Sequence, residues 1–138
     1  MIRCLVTGHK GYIGSRLFKE LQDSGFDVRG IDLNINSKFK MPEDEDILDG
    51  LEQYEEFAPE YIFHLACIPR VAYSVENPVH TMINNTISTS IVLDFARKVG
   101  AKRVIYSGSS SVIGNGDGPA SPYGLQKLVS EMEAKLYS

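Results

Sequence analysis

The sequence predicts a doubly wound α/β domain built on a parallel sheet of about five strands. Three observations carry that expectation. Short apolar runs rich in branched residues alternate with longer stretches in which apolar residues recur at helical spacing. Gly25 and Gly100 stand where helical stretches should stop. The stretches between strands are long enough for crossover helices, which set successive strands parallel.

Element by element, Ile2 to Thr7 reads as a buried strand ended by Gly8. Tyr12 to Ser24 reads as a helix, with Ile13, Leu17, Phe18 and Leu21 on one face. Phe26 to Asp32 is a second strand, followed by a loop with Asn34, Asn36, Ser37 and Pro42. Asp46-Ile47-Leu48 fits a very short third strand, and Gly50 to Phe57 a helix closed by Pro59. Tyr61 to Ala66 is a fourth strand, closed by Pro69. The longest helical pattern runs from Glu76 to Val99, broken near its start by Pro78. Arg103 to Ser107 is a fifth strand, and a glycine-containing loop leads to a last helix from about Ser121. The expected strand order is 3-2-1-4-5, with a ligand across the carboxyl ends at the switch between strands 1 and 4.

Composition sets the bounds. The 138 residues fit one domain, 1–138, large enough to bury a core. Hydrophobic residues at 43% and a net charge of -4 exclude intrinsic disorder and carry no basic footprint for nucleic acid. No apolar stretch is long enough to span a membrane. Cys4 and Cys67 each sit in an apolar run and read as free thiols. The N-terminus is already strand-like and lacks the signal-peptide pattern, so a cytoplasmic location is expected. Residues 41–69 are acidic, with no Lys or Arg, which reads as a solvated surface or a docking face.

Thr7-Gly8-His9-Lys10-Gly11-Tyr12-Ile13-Gly14 joins the first strand to the first helix. Gly8 allows a sharp turn, Gly11 allows backbone N–H groups to approach a pyrophosphate, and Gly14 allows the helix to pack close to the sheet. The helix start adds unpaired N–H donors and a partial positive charge. This implies dinucleotide binding. Asp32, at the end of the second strand, is placed to accept from both adenosine ribose hydroxyls and to repel a 2′-phosphate, favouring NAD over NADP. His9 and Lys10 either approach the phosphates or are merely exposed.

Tyr123 and Lys127 stand four apart, on one helix face. Half-ionising a phenol at neutral pH takes about three pKa units, or roughly 4 kcal/mol, which a neighbouring ammonium and a cationic nicotinamide can supply together.

With these motifs in order, the chain resembles the N-terminal part of an extended short-chain dehydrogenase/reductase, of the NAD-dependent sugar-nucleotide epimerase/dehydratase family. The glycine loop resembles that family's TGxxGxxG segment, with Gly8, Gly11, Tyr12, Ile13 and Gly14 at the cofactor. Asp32 is similar to its ribose-binding acid, and Asp46-Ile47 to the pair lining its adenine pocket. His64-Leu65-Ala66-Cys67 resembles the segment that packs along the cofactor, and Asn85 falls where the family has an asparagine near it. Ser107 to Gly114 resembles the SSSxxVYG segment, which gives Ser109 the place of the active serine or threonine, and Tyr123 and Lys127 take the YxxxK places. The resemblance implies a Rossmann-type fold, NAD as cofactor and a nucleotide-sugar substrate. It also implies roles. Tyr123 exchanges a proton with the sugar hydroxyl, Lys127 binds the nicotinamide ribose and lowers the tyrosine pKa, and Ser109 hydrogen-bonds the reacting oxygen. On the residues alone, His64 reads as a satisfied core histidine and Cys67 as a small buried residue.

There are departures from the family pattern. Ile113 replaces its tyrosine and Gly108 a serine. Ser110-Ser111 replaces the Asp-Glu pair of a dehydratase, so elimination of water is not expected. The loop from Gly114 to Pro122 is short. The sequence stops at Ser138, so the C-terminal substrate region is expected to be absent. Two functional readings follow: an NAD-dependent enzyme with a Ser-Tyr-Lys site, or a stand-alone dinucleotide-binding domain with little turnover, completed by a partner or a second copy. A homodimer is expected through the helices near 79–99 and 121–137, by the apolar patch Leu125, Leu128, Val129, Met132 and Leu136, unless those residues simply face the sheet.

Overall fold

The computed structural model describes residues 1–33 and 45–137. Asn34, Asn36, Ser37 and Pro42 of the expected loop lie outside the described residues, as do Glu43 and Asp44 of the acidic run.

Four strands form one parallel sheet: β1 (Arg3–Thr7), β2 (Asp27–Ile31), β3 (Tyr61–His64) and β4 (Arg103–Tyr106), in the order β2-β1-β3-β4. This is the expected order without its third strand. The expectation of five strands is therefore corrected to four among the described residues. Asp46 is the reason. Its carboxylate accepts from the Leu48 amide at 3.0 Å, a helix N-cap, and Ile47–Gly50 winds as α2 instead of extending. The helix expected over Gly50 to Phe57 shrinks to a 3₁₀ turn, Leu51–Tyr54.

The remaining helices are α1 (Tyr12–Asp23), α3 (Val71–Glu76), α4 (Pro78–Met82), α5 (Ser88–Val99) and α6 (Pro122–Leu136). The helical pattern expected over Glu76 to Val99 is broken at Pro78, which opens α4, as expected, and is interrupted again where residues Ile83–Ile87 form a π turn before α5. Hydroxyls of Thr89 and Ser90 bond the carbonyls of Asn85 and Thr86 one turn back, which competes with the regular helical ladder. The short α3 was not foreseen: six residues are too few to show a helical period.

Alternation along the strands sets the layers. Leu5, Ile31 and Ile62 face one side and pack with Ile47, Leu51 and Tyr54 and with Val92, Phe95 and Ala96 of α5. Val6 and Gly30 face the other side, where α1 lies: a Cβ on Gly30 would fall 2.3 Å from the His9 ring, which stacks on Phe18 of α1. His9 is therefore packed under the loop. The register aligns the strand ends. Ile31 pairs with Thr7, Thr7 with His64, and His64 with Tyr106. One residue further on, Asp32, Gly8, Leu65 and Ser107 form a row along the carboxyl edge of the sheet.

Candidate dinucleotide cleft and Ser-Tyr-Lys group

A cleft of about 460 Å³ opens along that row. Eight of the residues singled out from the sequence line it: Gly8, Gly11, Asp32, Asp46, Ile47, Leu65, Ala66 and Cys67. Lys10, for which the sequence left either an approach to the phosphates or mere exposure, lines it too, as do Leu33, Glu45, Ile68, Pro69, Asn84 and Ser88, which were not foreseen. The last two could have been read from helical spacing, since they stand four apart on the same face.

The glycine loop is tight because two of its glycines touch backbone. Gly8 has φ +75° and a Cβ there would lie 2.8 Å from the Ala66 amide nitrogen; one on Gly14 would lie 2.0 Å from the Gly8 carbonyl oxygen. The Gly11 amide donates to the Gly8 carbonyl, and the Ser15 amide to the Gly11 carbonyl. No side chain caps α1 at Gly11. The amides of Tyr12, Ile13 and Gly14 thus open the helix without an intrahelical acceptor. The side chains of Tyr12 and Ile13 are exposed, so any contact these two make with an anion comes from the backbone. Across the loop, Asp32 Oδ2 accepts from the Lys10 amide at 2.7 Å, leaving Oδ1 for a ligand. Uncapped amides above a glycine-rich loop, with a carboxylate on the same sheet edge, fit an adenine dinucleotide.

His64 links the loop to the helices behind it. Thr89 Oγ1 donates to the Asn85 carbonyl, so His64 Nε2 carries the proton and donates to Thr89 Oγ1 at 2.9 Å. His64 Nδ1 then accepts from Thr7 Oγ1 at 2.7 Å, and Thr7 Oγ1 accepts from the Ala66 amide. Burial, with the charge of Lys127, pushes the His64 pKa down to about 3. The reading of His64 as a satisfied core histidine is what the geometry gives.

Asn85 sits beneath the cleft, not in its lining. Its Oδ1 accepts from the Ile68 amide at 2.7 Å, and its Nδ2 donates to the Ile68 carbonyl and to Gln126 Oε1. Gln126 Nε2 in turn donates to Thr81 Oγ1 at 2.9 Å. One amide pair thereby ties the cleft wall at Ile68 to α6.

Ser109, Tyr123 and Lys127 gather beside the cleft at its Cys67 end. Ser121 caps α6 by accepting from the Gly124 amide, and buried Ser74 of α3 accepts from the Tyr123 amide at 3.0 Å. A Cβ on Gly124 would lie 2.6 Å from the Ser111 carbonyl, so this glycine lets the turn Ser110–Val112 dock on α6. That docking brings Ser109 to Tyr123. Burial raises the Tyr123 pKa, Cys67 raises it further, and a hydrogen bond with Ser109 opposes both. Lys127 Nζ donates to the Ser107 carbonyl at 2.8 Å and lies 5.0 Å from the centre of the Tyr106 ring. Its charge falls on His64, and the lowering of the Tyr123 pKa expected from Lys127 is not what the structure shows.

Sheet, loop and cleft define a Rossmann-type dinucleotide-binding domain. More narrowly, the chain belongs to the NAD dependent epimerase/dehydratase family, whose sequence model matches residues 4–138. It is 34% identical to the UDP-glucose 4-epimerase of Mycolicibacterium smegmatis, over 99% of this chain and 51% of that protein. A UDP-glucose 4-epimerase of Thermotoga maritima, solved with UDP-glucose, superposes with a TM-score of 0.86 at 29% identity, covering 99% of this chain and 51% of that one. A UDP-glucose 4-epimerase of Brucella ovis, solved with NAD, gives 0.83 at 30% identity, covering 99% and 48%. The chain spans about half the length of the relatives it matches. Among the described residues, no helix is long and apolar enough to cross a membrane.

Proposed function

We propose that the chain binds NAD in the cleft along β1, β2 and β3 and carries the proton-transfer group of a nucleotide-sugar epimerase. The observation that carries the reading is the uncapped start of α1 above the Gly8–Gly14 loop, with Asp32 on the same edge. The amides of Tyr12, Ile13 and Gly14 hold the diphosphate, and Asp32 Oδ1 accepts from the adenosine ribose. Asp46 and Ile47 flank the adenine, while Leu65, Ala66 and Cys67 carry the cofactor toward Ser107. When bound, NAD supplies a reversible hydride acceptor and a positive ring.

The chain's own groups handle the proton. Tyr123 stands as a neutral phenol with its pKa raised, so it must lose that proton before it can take one from a sugar hydroxyl. A positive ring beside it acts in that direction. Ser109, which lowers the pKa of the neighbouring phenol, is placed to hold the reacting oxygen. Lys127, fixed at Ser107, offers its remaining donors to the nicotinamide ribose. A nucleotide sugar is the proposed substrate class, and the cytoplasm the proposed location.

The second reading is a dinucleotide-binding domain with little turnover of its own, favoured by the Tyr123 phenol, whose pKa is raised where catalysis needs it lowered. Calorimetric titration with NAD, beside the absorbance of reduced nicotinamide with UDP-glucose and UDP-galactose, separates the two. Heat with turnover supports the first reading and heat alone the second; the absence of heat overturns both.

A further inference from the structure

Glu45 lies in the cleft beside Asp32, in a position that nothing in the local sequence marks out. Its amide donates to the Asp32 carbonyl at 3.0 Å, so Glu45 sits directly on the end of β2. The side chain is anchored as well. The Tyr54 hydroxyl lies 2.6 Å from Glu45 Oε2 and 2.9 Å from the Gly30 carbonyl, and its single proton serves the shorter contact. Tyr54 is buried in the core under the sheet, so a rigid element holds the carboxylate where it is. Asp32, Glu45 and Asp46 all line the same end of the cleft.

Resting on the NAD reading above, we propose that Glu45 is a second determinant of coenzyme choice: a Tyr54-anchored carboxylate that excludes a 2′-phosphate even when the charge of Asp32 is removed. Asp32 does two jobs, since it also accepts from the ribose. Glu45 has only the electrostatic one. A carboxylate fixed next to Asp32 in the cleft lining opposes a dianionic phosphate bound there through a poorly screened field. Anchoring matters because a free glutamate side chain would swing into solvent and give up most of that repulsion.

The test is calorimetric titration of the whole chain and its variants with NAD and with NADP, at low and at high salt. Asp32→Asn is expected to weaken NAD binding while leaving NADP binding poor. Adding Glu45→Gln is expected to improve the dissociation constant for NADP by about tenfold over Asp32→Asn alone, with NAD little changed. Tyr54→Phe, which keeps the charge and removes the anchor, is expected to give a smaller gain in the same direction. The NADP penalty of the unaltered chain is expected to shrink as salt rises, and that of the double variant to change far less. Melting curves show that each variant is folded. Equal NADP affinity in Asp32→Asn and the double variant, with NAD still bound by the unaltered chain, overturns the role of Glu45 and leaves the cleft assignment standing. Failure of the unaltered chain to bind either coenzyme overturns both.

Discussion

His64 and Gly14 show how single residues set this site, and each carries a prediction. The hydrogen-bond chain Ala66–Thr7–His64–Thr89–Asn85 is satisfied only by the neutral ring with its proton on Nε2. The folded pKa of about 3 lies below the ordinary value of 6.5, so the unfolded chain binds more protons between those values. Stability from this group is therefore complete above pH 6.5 and lost as pH falls toward 3. The largest loss this permits is on the order of 5 kcal/mol, with a slope of at most about 1.4 kcal/mol per pH unit. Urea unfolding between those pH values should show the slope in the unaltered chain and a shallower one in His64→Gln, which cannot titrate. Gly14→Ala acts by contact instead. Alanine favours a helix by about 1 kcal/mol over glycine, yet the new methyl would meet the Gly8 carbonyl 2.0 Å away. The loop must shift, and NAD affinity measured by calorimetry should fall by at least about tenfold, or roughly 1.4 kcal/mol. An unchanged affinity would show that the loop does not hold the diphosphate.

Among the elements, α6 is where the site is assembled, and its most telling residue is Gly124. The sequence marks it only as a letter between Tyr123 and Lys127, but its missing side chain lets the Ser109 turn sit against the helix. In Gly124→Ala the turn must retreat, which separates Ser109 from the phenol. The expected result is NAD binding within about threefold of normal, a change of roughly 0.6 kcal/mol, with the Tyr123 phenol titrating higher in ultraviolet difference spectra. An unmoved titration would count against the Ser109 contact. This contrast also explains what could be read in advance. Four of the five strand runs, the glycine loop, Asp32 and the α6 start at Ser121 rest on local patterns and are found where the pattern puts them. The third strand was misread because Asp46-Ile47-Leu48 is apolar enough to extend, whereas the Asp46 carboxylate caps a helix. The hydrogen bonds of Asn85, Gln126, Ser74 and Glu45 could not be read, although the family resemblance marks Asn85 itself. Their partners lie between nine and forty-nine positions away, and only the folded chain brings them together.

At the scale of the whole molecule, the packed interior and the cleft leave apolar side chains exposed on α6 and on the elements packed against it. Leu125, Val129, Met132 and Leu136 on α6 all remain exposed. Val79, Ile83 and Ile87 are exposed as well, on α4 and the π turn, which pack against α6. The alternative that the α6 residues face the sheet does not hold for Met132, at 58% exposure, or Leu136, at 85%. A stripe of this kind is stabilised by covering it, and two copies of one stripe can cover each other about a twofold axis. The proposed homodimer should therefore scatter light at twice 15.3 kDa at micromolar concentration. Met132→Glu places a charge in the middle of the stripe without touching the core. It should move the particle to monomer mass while the melting curve at dilute concentration stays where it was. A monomer across the whole concentration range for the unaltered chain would overturn the dimer and leave the stripe to another partner. It would not disturb the coenzyme cleft, whose lining residues are none of these seven.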